Sequence, residues 1–154
     1  MNLLEHSRFV VDASVAANLL IEQSLSLAAR RFFDVMDSDN PPHLFVPGFF
    51  FLETANALRN SVKFGALERE TAIQGLGNLR ELPLTVVEDG KLFEMALEIA
   101  LDRNVTVYDA CYAALASREN ALLITADRKL VAALLGSVVD AVWLGDVLVQ
   151  SGAD

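Results

Sequence analysis

Four carboxylates stand where their neighbours give them little ordinary reason to be. Asp12 closes the apolar run FVVD, Asp127 closes LLITAD, Asp109 interrupts VTVYDACYAALA, and Glu53 interrupts FFFLETANAL. A carboxylate taken out of water without a partner is costly, so it gives up its charge or finds a cation. The remaining acids, such as Asp34, Asp37, Glu68, Glu70, Glu94 and Glu98, sit among polar residues and read as solvated surface. Three of the four have a plain alternative: Asp12, Asp127 and Asp109 could each cap the helix that follows, with Ser14 competing at the first. Glu53 lacks that alternative. It falls inside its helix with Phe49, Phe50, Leu52 and Ala57 around it, so a buried arginine partner is the competing explanation.

Carboxylates brought together repel, and a hard divalent cation resolves the repulsion. Mg²⁺ and Mn²⁺ prefer oxygen ligands and keep several waters. Zinc has no ligand set here, because His6 and His43 are isolated and Cys111 is the only thiol. A cation held by acids can activate a water and stabilise charge on a phosphodiester. No phosphate-cradling GxxxxGK[ST] or GxGxxG loop occurs, and no Ser/His/Asp set is evident, which disfavours a nucleoside-triphosphate enzyme.

The elements that must position these acids alternate along the chain. Apolar runs at 8–12, 43–47, 84–88, 121–127 and 141–145 read as strands. Helical patterns fill 14–23, 25–36, the stretch from Phe49 to Gly65, 66–82, 91–103, 108–120 and 128–136. Alternation of this kind predicts an α/β fold in three layers (α/β/α) around a central, mostly parallel sheet. The strands are apolar throughout, as expected where helices cover both faces. Sites in such sheets form at the carboxyl ends of the strands, which puts Asp12 and Asp127 on one edge. No linker or repeat divides the chain, so 1–150 is expected to form one domain with a short tail at 151–154.

The net charge is −9, from 12 basic and 21 acidic residues. That balance argues against a protein that coats nucleic acid, but not against an enzyme whose acids hold cations. The start MNLLEHSRFVVD lacks the features of an export leader, and no apolar run is long enough to span a bilayer. With a single cysteine, the expectation is a cytoplasmic protein whose thiol is core filler. Three consecutive phenylalanines on one helix cannot all face one core; they could pack inside it or leave a ring for a second chain.

The segments VVDAS (10–14), ETAN (53–56), YDACYAALA (108–116) and LITADRKL (123–130), in this order and spacing, resemble the PIN-domain ribonucleases, in particular the VapC toxins of VapBC-type toxin–antitoxin pairs. The resemblance implies that Asp12, Glu53, Asp109 and Asp127 bind Mg²⁺ or Mn²⁺; the alternative is that Asp109 or Asp127 orients the attacking water instead. It places Ser14 and Thr125 on the family's hydroxyl positions and Asn56 on a polar position one turn after the glutamate. It implies metal-dependent cleavage of RNA, tRNA among the candidates, leaving a 5′-phosphate and a 3′-hydroxyl. It also implies a homodimer and a cognate antitoxin whose tail lies in an apolar groove leading to the acids. Arg128 and Lys129, beside Asp127, and Arg59 and Lys63, further along the Glu53 helix, could meet RNA phosphates or be ordinary solvated charges. Arg30 and Arg31 are weaker candidates. Two rivals remain: a catalytically silent PIN-fold scaffold, and a receiver-like signalling domain. The latter fits poorly because the third strand ends at Glu88, not at an aspartate.

Overall fold

A computed structural model describes residues 6–147; the expected tail at 151–154 lies outside them. Five strands form one sheet in the order β3-β2-β1-β4-β5, and every pairing is parallel. They are β1 (Arg8–Val11), β2 (His43–Pro47), β3 (Leu84–Val87), β4 (Leu122–Thr125) and β5 (Ala141–Trp143). Seven helices connect them among the described residues: α1 (Ala13–Leu20), α2 (Ser26–Asp34), α3 (Phe50–Lys63), α4 (Arg69–Arg80), α5 (Lys91–Arg103), α6 (Val107–Glu119) and α7 (Arg128–Leu134). No helix of the described residues is long and apolar enough to cross a membrane.

The chain leaves β1 toward β2 and β3, then crosses back to build β4 on the other side of β1. That reversal makes the β1–β4 junction the topological switch point, where the two crossovers diverge and a crevice opens. Register fixes the junction tightly: Val11 is paired with Ile124, and the Asp12 N–H donates to the Ile124 carbonyl at 3.1 Å. The central strands are buried on both faces, whereas edge strand β3 exposes Thr85 and Val86. Continuous burial thus fails at the edge, where one flank has no neighbour.

Helix α6 packs on β1, β2 and β4 with α5 beside it. Ala110, Cys111, Ala113, Ala114 and Ala116 are small enough to bring that helix close to the sheet, and all of 110–116 is buried. Phe32 of α2 meets Phe9 of β1 edge-on at 5.4 Å. Gly65 and Gly136 adopt φ of 75° and 71° just beyond α3 and α7, the left-handed conformation that ends a helix. The phenylalanine run is core packing. Phe50 is buried, Phe49 precedes the helix, and Phe49 and Phe51 pack half-buried against the core, so Leu52 is the exposed residue of that stretch. Helix α1 stops at Leu20, short of the expected 23. Ile21 turns extended, and the Ser26 hydroxyl closes the turn by accepting from the Gln23 N–H and donating to the Ile21 carbonyl.

Candidate active site

Asp12 follows β1 and occupies the N-cap position of α1, yet its carboxylate does not cap the helix. Its Oδ2 accepts from the Ser14 and Thr125 hydroxyls, both at 2.6 Å. The two hydroxyls are 3.3 Å apart; Ser14 Oγ accepts the Ala126 N–H and Thr125 Oγ1 accepts the Asp127 N–H. Backbone and hydroxyls therefore lock one carboxylate oxygen of Asp12 at the switch point, and the Ser14 N–H lies close enough to the carboxylate to favour its charged form. Asn18, buried one turn on, donates to the Ser14 carbonyl and steadies that turn.

Asp127 behaves differently. Strand β4 ends at Thr125, two residues earlier than the sequence run suggests, and Asp127 becomes the N-cap of α7. Its Oδ1 accepts from the Lys129 and Leu130 N–H groups at 2.8 and 3.3 Å. The capping alternative is thus correct for Asp127, with Oδ2 left over. Asp109 is not a cap. Thr106 takes that role for α6 and accepts the Asp109 N–H at 3.1 Å. Glu53 sits in the first turn of α3, and its Oε1 is buried with no hydrogen-bond partner. No arginine reaches it, so the ion-pair explanation falls.

The electrostatics tie all four acids together. Burial, then the charges of Asp12 and Asp109, push the Glu53 carboxyl up to about 7. Burial raises Asp12, its two hydroxyl donors partly oppose this, and the charge of Asp109 adds to it. Asp109 is raised by burial first and by the charge of Asp127, against the Thr106 hydroxyl. Each acid is perturbed by, or perturbs, another member of the set, which marks one shared electrostatic pocket. Among the described residues no three or more His, Cys, Asp or Glu side chains close into a cage around an ion position. The acids are coupled through their charges, without such a cage, and every donor they offer is oxygen. That donor set fits a hard divalent ion that retains much of its water.

Asn56 is exposed on α3, and its side chain makes no hydrogen bond among the described residues. Arg59 and Lys63 are also exposed on α3; Arg59 lines a groove with Arg69 of α4, and Lys63 lies about 15 Å along the helix axis from Glu53. Arg30 pairs with Glu22 and points its charge there. Lys129 is exposed. The Arg128 guanidinium carbon lies over the Trp143 indole, 3.5 Å from the ring centroid. Two residues at the pocket escaped the sequence reading. Tyr112 is fully buried, and its hydroxyl, near the Ala13 backbone but without a hydrogen bond of full geometry, feels the charges of Asp12 and Glu53. Its signal was present, since it falls one turn after Asp109 on the same helix. Trp143 had no such signal, because its relevance depends on β5 pairing beside β4. Cys111, expected as filler, is buried at the wall of a cavity of about 400 Å³ near the ends of β2 and β3, and burial and Glu53 push its thiol up. Both effects favour the neutral thiol over the thiolate.

A parallel α/β sheet with an acidic pocket at its switch point defines the class. The PIN domain family model matches residues 9–133, and the chain belongs to the PIN-domain family. It is 33% identical over 125 residues to Ribonuclease VapC3 of Pyrobaculum aerophilum, covering 80% of this chain and 92% of that protein. The structure of PAE2754 from the same organism matches with a TM-score of 0.68 at 26% identity, over 96% of each chain. A toxin–antitoxin complex from Klebsiella pneumoniae matches with a TM-score of 0.61 at 14% identity, over 88% of this chain and 96% of that one, which shows the shared fold.

Proposed function

We propose that this chain is a metal-dependent endoribonuclease of the VapC kind and the toxin of a toxin–antitoxin pair. One observation carries the reading: four acids linked by charge at the switch point, with no cationic side chain among the described residues to neutralise them and Glu53 Oε1 buried and unpartnered. The naming of the 33%-identical relative as a ribonuclease supports it. Asp12, Glu53, Asp109 and Asp127 would hold Mg²⁺ or Mn²⁺, or three of them would, with Asp109 or Asp127 orienting the water. Such an ion, when bound, lowers the pKa of a water and offsets charge on the phosphodiester.

The chain's own residues do the positioning. Ser14 and Thr125 fix the Asp12 carboxylate by two short hydrogen bonds to one oxygen, so the other is presented at low conformational cost. Asp127 is fixed through its capping oxygen in the same manner. Water adds at phosphorus, the O3′–P bond breaks, and the products are a 5′-phosphate and a 3′-hydroxyl. Arg128 and Lys129 beside the pocket, and Arg59 and Lys63 along α3, are the cations available for flanking phosphates. The protein would act in the cytoplasm as a homodimer of a domain spanning 1–150. It would be restrained by an antitoxin that brings a basic side chain to the acids.

The test is cleavage of a mixed RNA panel, tRNAs included, by antitoxin-free protein in Mg²⁺ or Mn²⁺, beside Asp109→Asn. Metal-dependent cutting that vanishes in the folded variant is expected. Equal cutting by both proteins would refute the site, and metal binding with no cutting of any RNA would favour the scaffold reading.

A further inference from the structure

Most arginines in this acidic chain have their charge answered locally. Arg8, Arg30, Arg69 and Arg118 are ion-paired, and Arg103 donates to the carbonyls of Leu135 and Gly136. Arg128 has no carboxylate in ion-pair range among the described residues, yet it is not loose. Its guanidinium stacks on the indole of Trp143, which is itself held at three points. The indole N–H donates to the Ala126 carbonyl at 3.2 Å. The Trp143 backbone pairs with Thr125, whose hydroxyl bonds Asp12. Gly145 leaves the space the ring occupies, since a Cβ there would run into its six-membered half. The ring is thus fastened to the segment 125–127 that shapes the acid pocket.

A guanidinium laid flat on an aromatic ring loses rotamer freedom, while its N–H donors lie in the plane of the stack and stay free. A fork of fixed donors without a carboxylate matches a phosphate. It follows Asp127 directly, so it flanks the acids. We propose that the Trp143–Arg128 stack is a phosphate-binding arm of the site. In it Arg128 grips a phosphate of single-stranded RNA next to the cut bond, and Trp143, backed by Gly145, is its positioning residue. This rests on the ribonuclease reading above.

Trp143 is the only tryptophan of the chain, so its fluorescence reports on this arm alone. The experiment titrates a short single-stranded RNA into Asp109→Asn protein with Mg²⁺, following tryptophan emission and, with labelled RNA, anisotropy over a range of salt. Saturable change in Trp143 emission is expected. Arg128→Gln, an exposed change that leaves the core untouched, should weaken binding about tenfold and take about one unit off the log–log salt slope. Trp143→Leu should lose nearly as much, while Trp143→Phe, which keeps a ring under the guanidinium, should retain most of the affinity. In otherwise wild-type protein the same changes should raise KM and leave kcat near its normal value. RNA bound by Asp109→Asn alone and by its Arg128→Gln form with one affinity and one slope would overturn the arm and leave the nuclease reading standing. Trp143→Phe falling as far as Trp143→Leu would overturn the positioning role. RNA bound by none of the proteins would overturn both readings.

Discussion

Helix α6 carries carboxylates at both ends, and the protein treats them in opposite ways. At the last turn, Glu119 Oε2 lies 2.8 Å from Arg8 Nη2, and Arg118 reaches Glu119 Oε1 at 3.5 Å while also binding Asp89. Arg8 also donates to the Glu119 carbonyl and lies over the Phe45 ring. Asp89 is held below the ordinary carboxylate range, first by the Lys91 N–H and then by Arg118. At the first turn, Asp109 has no cation and is pushed above the ordinary range. The helix dipole favours an acid at the first turn and disfavours one at the last, so the paired end is where compensation is most needed for stability. The other end is left charged, and only a ligand from outside the chain can answer it.

The largest effects should separate the two ends by kind. Asp12→Asn keeps the shape and the acceptor for Thr125, so cleavage should fall by about 10²–10⁴-fold while metal-free stability near pH 7.5 holds or rises. Glu119→Gln should leave cleavage within about twofold and cost on the order of 1 kcal/mol, since the pair keeps part of its contact with water. Paired cleavage rates and thermal melts decide it. An Asp12→Asn protein that melts well below wild type would mean the acid pocket is a structural network like the one at Glu119.

The sequence showed the acids but not how each is used. Asp12 and Asp127 were legible as strand-end residues because apolar runs mark strands buried on both faces, and a parallel sheet aligns their carboxyl ends. Whether each carboxylate caps its helix or faces the pocket depends on Thr125 standing opposite Asp12, a contact across 113 residues that no local pattern encodes. Glu53 was legible for the opposite reason, since an acid among phenylalanines on a helix has no local use. The ends of α1 and β4 were missed because hydrogen bonds from Ser26 and Asp127 override the propensity of the runs they terminate. Trp143 and Tyr112 needed β5 and α6 placed against the pocket before they meant anything.

The next effect is a pH dependence of stability. Glu53 is pushed up to about 7 in the folded protein, against an ordinary value near 4.5. A raised pKa means the folded state binds the proton more tightly than the unfolded one. The contribution is therefore fully present below about pH 4.5 and is lost as pH rises through about 7. Metal-free protein should be less stable at pH 7.5 than at pH 5.5 on this account, by on the order of 1 kcal/mol after solvent screening, or about 2–4 °C in Tm. Glu53→Gln should flatten that slope, and Mg²⁺ or Mn²⁺ should restore stability at pH 7.5 in wild type only. An unchanged slope in Glu53→Gln would place the pH dependence elsewhere and blunt the contrast between the two ends of α6.

The smallest effect concerns Tyr112, one turn after Asp109 and facing the charges of Asp12 and Glu53. A buried hydroxyl without a partner costs about 1–3 kcal/mol relative to a satisfied one. Its ring earns its place regardless, meeting Phe49 edge-on at 5.5 Å. Tyr112→Phe keeps that packing and deletes the unpaired group, so Tm should hold or rise by about 2 °C, with cleavage reduced less than tenfold. A gain would show that the pocket end of α6 stores uncompensated polar groups in its second turn as well as its first. A loss of 1 kcal/mol or more would mean that the hydroxyl is satisfied, by the Ala13 backbone or by ordered water shared with Glu53 Oε1, and the uncompensated region would shrink to the carboxylates themselves.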